Sequence, residues 1–185
     1  YMVCYSYNGG ETKISADLSS YMNGYQDPRR EIYGVTSTFD ESENITNGFH
    51  GLRVGNEYPI KTGQCYSNVK VEVSSPIMWM NAAEVMFLRA EAALRGWDTE
   101  KTPKAYYEAG IRLSFEQLGA KNVEDYLVST NTPESYKDPL GTYSFSGTPS
   151  TISVQWKDGN FEESLERIIT QKWIANFPLG LEAWA

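Results

Sequence analysis

The stretch "MNAAEVMFLRAEAALRG", residues 80–96, is nearly all apolar or small, yet it places Glu84, Glu91 and Arg95 at spacings of seven and four. Asn81, followed three residues later by Glu84, forms a capping-box pair that opens a helix. Gly96 supplies the residue that ends it. On a wheel advancing about 100° per residue, Ala82, Ala83, Met86, Phe87, Ala90, Ala93 and Leu94 cover one broad face, and Val85 and Ala92 widen it. Only a narrow strip remains for the charges. The expectation is a central bundle helix whose carboxylates lie at the edge of a core, where unpaired charge is costly. Arg95 can satisfy Glu91 at i, i+4, and Arg112, Arg167 or Lys172 from facing helices can satisfy Glu84.

The residues that follow keep the same grammar. Thr102 and Pro103 open a second helix that Gly119 closes, with Tyr106, Ala109, Leu113 and Gln117 along one stripe and Ile111, Phe115 and Leu118 along the next. Close neighbours in sequence, the two helices should form an antiparallel hairpin. Asn122 starts a short helix through Leu127. "NTPESYKDPLGTYSFSGTPS", residues 131–150, is a loop of a length that is uncommon unless it has a job. Asn160, with Glu163 as its capping partner, opens a last helix whose stripe is Phe161, Leu165, Ile168, Ile169, Trp173 and Phe177. Trp173, Phe177 and Trp184 read as core.

Toward the N-terminus the pattern is less regular. "ISADLSSYMNG" offers Ser15 as an N-cap and Gly24 as a stop, and in "QDPRREIYG" Asp27 caps, Pro28 takes the first helical position and Gly34 ends the turn. Residues 35–65 read as loop. In "NVKVEVS" Val69, Val71 and Val73 alternate with Lys70, Glu72 and Ser74, the period of a half-buried strand, with a partner near "HGLRVG". The predicted fold is mainly α with minor β: an irregular region over 1–75 holding short helices, loops and a small strand pair, then a helical region over 76–185.

Composition excludes several functions. A formal net charge of −8 with 22% charged residues leaves no basic cluster for nucleic acid or anionic lipid. No apolar run approaches the roughly 20 residues that span a bilayer. His50 is the single histidine, which removes most triad and metal arrangements. Cys4 and Cys65 fit either one disulfide or two thiols. A glycosidase built on Glu84 and Glu91 is the enzyme alternative, but the neighbouring Arg95 argues for a structural ion pair. Phosphate-binding glycine loops, zinc spacings and nucleophile elbows are missing, and "DESEN" at 40–44 lacks the Gly and distal Glu of a calcium loop. The sequence therefore offers no catalytic residue, no metal ligand set and no cofactor motif. Tyr1 is not a natural start and the apolar end at Trp184 asks for further residues, so a fragment is expected.

Four segments carry a family resemblance. "QDPRREIY", "NAAEVMFLRAEAALRGW", "AYYEAGIRLSFEQLGA" and "IITQKWIANFPLGLEAW" resemble, in order and spacing, the C-terminal part of SusD/RagB proteins, surface glycan-binding lipoproteins of Bacteroidetes. The resemblance implies a helical-hairpin bundle of the tetratricopeptide-related type and binding in place of catalysis. It also implies an oligosaccharide ligand, a SusC-like TonB-dependent transporter as partner, and a place on the outer-membrane surface through a lipid anchor outside this chain. Cys4 has no lipobox before it. Family members capture sugars on aromatic platforms, and this chain has 25 aromatic residues (13 Tyr, 7 Phe and 5 Trp), many in loops. Tyr33, Phe49, His50 and Tyr58 are the candidate carbohydrate contacts: no helical period explains the rings of Tyr33, Phe49 and Tyr58, and His50, with Asn47 and Asn56, is a polar neighbour for sugar hydroxyls. The alternative is a helical-repeat protein-binding scaffold without a sugar site, although the tetratricopeptide pattern fits residues 84–118 poorly.

Overall fold

The computed structural model describes residues 12–37, 48–56, 65–72, 74–97 and 99–184, the last without its side chain. The described residues are mainly helical: α1 (Ala16–Gly24), α2 (Arg30–Tyr33), α3 (Ala82–Leu94), α4 (Pro103–Leu118), α5 (Val123–Leu127), α6 (Phe161–Ala175) and α7 (Gly180–Trp184). The chain divides into two compact units, Tyr1–Ile77 with Thr132–Thr151, and Met78–Asn131 with Ile152–Ala185. Residues 132–151, which the sequence reading keeps with the helical region, thus group with the N-terminal residues.

The second unit is the helical one. Asn81 caps α3 by accepting from the Ala83 amide at 3.0 Å, and its own amide donates to Ala175 O at 2.8 Å and Asn176 Oδ1 at 3.0 Å. One side chain thereby starts α3 and fixes the end of α6 beside it. Thr102 caps α4 and Gly119 closes it in the left-handed region at φ 67°. α3 and α4 form the expected hairpin, with α6 also against α3. Gly110 permits the close approach: a Cβ there would lie 2.8 Å from the Phe87 ring. Glu91 pairs with Arg95 at 2.7 Å and Glu84 with Lys172 at 3.7 Å, as the spacing suggested.

Three helix faces differ from expectation. On α4 the buried stripe is Tyr106, Tyr107, Gly110, Ile111, Ser114 and Phe115, not the Ala109–Leu113–Gln117 row. On α6 it is Ser164, Arg167, Ile168, Gln171, Ile174 and Ala175, while Phe161 and Ile169 are 40% and 48% exposed. Arg167 and Gln171 can be buried because each is satisfied: Arg167 Nε donates to Ser153 O at 2.9 Å and Gln171 Nε2 to Tyr126 Oη at 3.0 Å. Trp173 and Phe177 are half-buried, and the Trp184 side chain lies outside the described residues. On α3 only Ala83, Phe87 and Ala90 are buried; Val85 and Leu88 are about half exposed.

The first unit has little regular structure, and beside buried apolar residues such as Ile14, Leu18, Met22 and Tyr66 it buries an ion pair. Ser15 caps α1, accepting from Leu18 N at 3.2 Å, and the helix buries Ala16, Leu18 and Met22. In "QDPRRE" the Asp27 carboxylate accepts from the Arg29 amide at 2.9 Å and grips the Arg29 guanidinium at 2.6 Å, with both side chains fully buried. The helix that follows starts at Arg30, two residues beyond Pro28. Gly34 leaves it in extended backbone, φ −135°, and not as a left-handed stop. The expected strand over 68–74 is reduced to isolated bridges, Lys13 to Asn68 and Gly34 to Val69. Its partners are therefore Lys13 and Gly34 and not the expected "HGLRVG", whose Leu52 bridges Ser15 instead; only the preceding Ser67 reaches that segment, its amide donating to His50 O at 2.7 Å. Residues 132–151 are tied in through Glu134 N to Ser20 O at 3.1 Å and Tyr136 Oη to Gly51 O at 2.6 Å. Cys65 is a fully buried free thiol, whose pKa burial pushes up to about 11 with the negative charge of Asp138 adding to the rise; Cys4 and "DESEN" lie outside the described residues.

Candidate binding site

A polar cleft of about 660 Å³ opens within the first unit. That volume lies inside the ~300–1,000 Å³ of ordinary ligand pockets. Its walls come from short local devices. Asn23 and Gln26 stand at the end of α1, Arg30 and Glu31 in the first turn of α2, Gly48, Phe49 and His50 in the following loop, and Glu134 in the 132–151 segment. The Asn23 amide donates to Phe49 O at 2.9 Å and accepts from Arg30 Nη1 at 3.4 Å, which joins α1, α2 and the loop around one side chain. The loop itself is pinned at both Gly48 and His50. Ser37 N donates to Gly48 O at 2.9 Å, and His50 N donates to Ser67 Oγ at 3.0 Å.

Two glycines make room for the rings. A Cβ on Gly34 would stand 2.4 Å from Phe49 Cε2, and one on Gly48 would stand 2.5 Å from His50 Nε2. Real Cβ atoms do not come so close, so any other residue at either position would displace the ring. Gln26 holds a left-handed φ of 53°. A non-glycine residue in that region is uncommon and carries a cost on the order of 1 kcal/mol.

The lining mixes donors and acceptors. Arg30 can only donate and the Glu31 and Glu134 carboxylates only accept, while Asn23 and Gln26 do both. Two acidic groups against one cation disfavour a polyanion, and the balance of donors and acceptors suits a ligand rich in hydroxyls.

The sequence candidates are distributed unevenly over this geometry. Phe49 and His50 both line the cleft. Phe49 is only 8% exposed, however, and Tyr33 5%. Both rings were expected to be solvent-reachable; instead they are packed into the unit, because loop residues without helical period still have an interior to fill. Tyr58 and Asn47 lie outside the described residues. Asn23, Gln26, Arg30, Glu31 and Glu134 were not anticipated. For Arg30 and Glu31 a signal was present in "QDPRREIY", already singled out; for Glu134, more than 100 residues from Asn23, none was.

The sequence profile of "Susd and RagB outer membrane lipoprotein" matches residues 1–185. The chain belongs to the SusD/RagB family. Solved structures agree with that assignment. A SusD homologue from Bacteroides thetaiotaomicron is 44% identical, with a TM-score of 0.89 over 98% of this chain and 38% of its own. One from Bacteroides ovatus is 49% identical, with a TM-score of 0.85 over 93% of this chain and 37% of its own. A chitin-binding SusD homologue from Flavobacterium johnsoniae is 39% identical, with a TM-score of 0.84 over 99% of this chain and 37% of its own. This SusD-like chain thus spans under two-fifths of the length of these relatives. No curated protein matches it. The mainly helical fold is the one these relatives share.

Proposed function

We propose that this SusD-like chain takes part in capturing oligosaccharides at the bacterial cell surface, as the lid partner of a SusC-like, TonB-dependent outer-membrane transporter. The single observation that carries the reading is the cleft of about 660 Å³ whose wall combines hydrogen-bond donors and acceptors, among them Asn23, Arg30, Glu31 and His50. A sugar chain presents hydroxyls that both donate and accept, and such a wall can pair them. Membership of a family that includes a chitin-binding relative supports the same class of ligand. In this reading His50 and Phe49 contribute from the wall, Tyr33 is a buried part of the same unit, and Tyr58 is a further contact. Anchoring to the outer membrane is by lipid, in keeping with the family description.

Calorimetric titration against a panel of neutral oligosaccharides tests the reading. Arg30→Ala and His50→Ala should each weaken binding about tenfold, or ~1.4 kcal/mol, with unchanged thermal melting. Tyr33→Ala should lower stability more than it alters affinity per folded molecule. Binding by no member of the panel, or by every variant as by the parent, would overturn the assignment. Co-expression with a TonB-dependent transporter followed by size-exclusion chromatography tests the partnership separately.

A further inference from the structure

The loop over 131–150 is long for a connection, and it carries an exposed aromatic ring. Phe145 is 54% exposed. Single exposed aromatics are common and by themselves mean little. This one is held in place. Its amide donates to Tyr136 O at 3.0 Å, and Ser135 Oγ donates to the neighbouring Ser146 O at 3.1 Å, so the two arms of the loop are tied together. The ring lies against Gly147, where a Cβ would come within 2.6 Å of Phe145 Cε1. At the tip, Asp138 accepts from the Tyr143 amide at 3.2 Å, and its own amide donates to Ser144 Oγ at 3.0 Å. An exposed ring whose backbone is braced on both sides is preorganised, and preorganisation is what a stacking contact needs.

The ring also borders a second cavity of about 220 Å³, lined by Asp17, Ser20, Arg53 and Tyr136 as well. None of these residues lines the larger cleft. The volume falls below the ~300–1,000 Å³ of ordinary ligand pockets, which points to one ring-sized unit inside the cavity. Its chemistry is complementary at two points. The Asp17 carboxylate only accepts and the Arg53 guanidinium only donates, while each sugar hydroxyl does both. The two charges cancel, so neither an anionic nor a cationic sugar is favoured. The apolar C–H face of a pyranose suits the Phe145 ring.

We infer that the cavity between Phe145, Asp17 and Arg53 is a second carbohydrate subsite, sized for a single neutral pyranose unit. The ligand class rests on the glycan-capture reading; the location does not.

The test is titration of the protein with methyl glycosides of neutral hexopyranoses, followed by ligand-observed NMR, beside the corresponding hexuronate and hexosamine. Phe145→Ala and Asp17→Asn should weaken binding of the neutral glycoside about tenfold, and Phe145→Tyr should preserve it. Melting curves check that each variant folds. Equal binding by Phe145→Ala, Asp17→Asn and parent overturns the subsite, as does a preference for the charged sugars. If the parent binds oligosaccharides through the larger cleft yet no single glycoside, the subsite falls and the capture reading stands. If the parent binds no sugar of any length, both fall.

Discussion

The two units of this chain are held together by different kinds of interior. In the helical unit the largest buried side chains include Phe87, Tyr106, Tyr107, Ile111 and Phe115, set on helices whose ends carry Asn, Thr and Gly caps. In the loop-rich unit the interior includes a fully buried Asp27–Arg29 pair and a carboxylate, Asp138, that accepts from Tyr66 Oη at 2.8 Å. Apolar stripes need only to be covered, and neighbours can be exchanged at modest cost. Buried charges must be paired in one geometry, so they specify a loop's path that hydrophobic burial alone would leave open. The polar cleft sits in the unit that uses this second strategy.

The strongest way to break the comparison is to remove one buried charge. Arg29→Ala would leave the Asp27 carboxylate buried without its cation, at a cost of about 3–5 kcal/mol. Urea denaturation followed by limited proteolysis should show the 12–37 stretch cut first, with the helical unit protected longer. A loss under 1 kcal/mol would mean that the pair contributes little and the interior is held by apolar contacts after all.

The matching perturbation in the helical unit is steric. Gly110→Ala places a methyl against the Phe87 ring and forces α3 and α4 apart, at about 1–3 kcal/mol, the usual cost of overfilling a core. The midpoint of chemical denaturation measures it. An unchanged midpoint would show that the hairpin is looser than the 2.8 Å approach implies.

The smallest effect is also the most selective. Cys65, Tyr66 and Tyr136 all belong to the loop-rich unit, and burial raises each pKa first; the negative charge of Asp138 adds to the rise, with a hydrogen bond to its carboxylate for the two tyrosines. A group whose folded pKa lies above its unfolded value stabilises the fold fully below the unfolded pKa and loses that contribution as pH rises through the folded one. For Cys65 the window runs from pH 9.0 to about 11. Stability should fall by on the order of 1 kcal/mol from this group by about pH 10, and Cys65→Ala should flatten the decline. Denaturation midpoints compared between pH 8 and 10 would check this; a parent and variant with identical pH slopes would remove Cys65 as the cause.

How much of this was legible in the sequence follows from the range of each interaction. Ser15, Asn81, Thr102 and Asn160 were all read as caps, and all accept an amide hydrogen two or three residues on. Capping is local chemistry, so a single sequence contains it. Which face of a helix is buried is not local. On α6 the polar Arg167 and Gln171 go inside because Ser153 and Tyr126 wait for them, while Ile169, the better hydrophobe, stays half exposed. Of the nine residues that line the cleft, Phe49 and His50 were legible, one as an aromatic without a period and one as its polar neighbour, whereas Glu134 reaches the cleft from a distant segment whose amide donates to Ser20 O.

The discontinuity of the loop-rich unit has a consequence for biosynthesis. Its N-terminal portion ends at Ile77, but it is completed by Thr132–Thr151. The hydrogen bonds from Glu134 to Ser20 and from Tyr136 to Gly51 cannot form until that second portion has left the ribosome. At ~5–20 residues per second, the 54 intervening residues (131 − 77) take about 3–11 seconds to make. During that interval the α3–α4 hairpin, whose contacts are local, can already assemble, while Ser20 and Gly51 wait with their carbonyls hydrated. The order of translation therefore places the helical hairpin first and the cleft last.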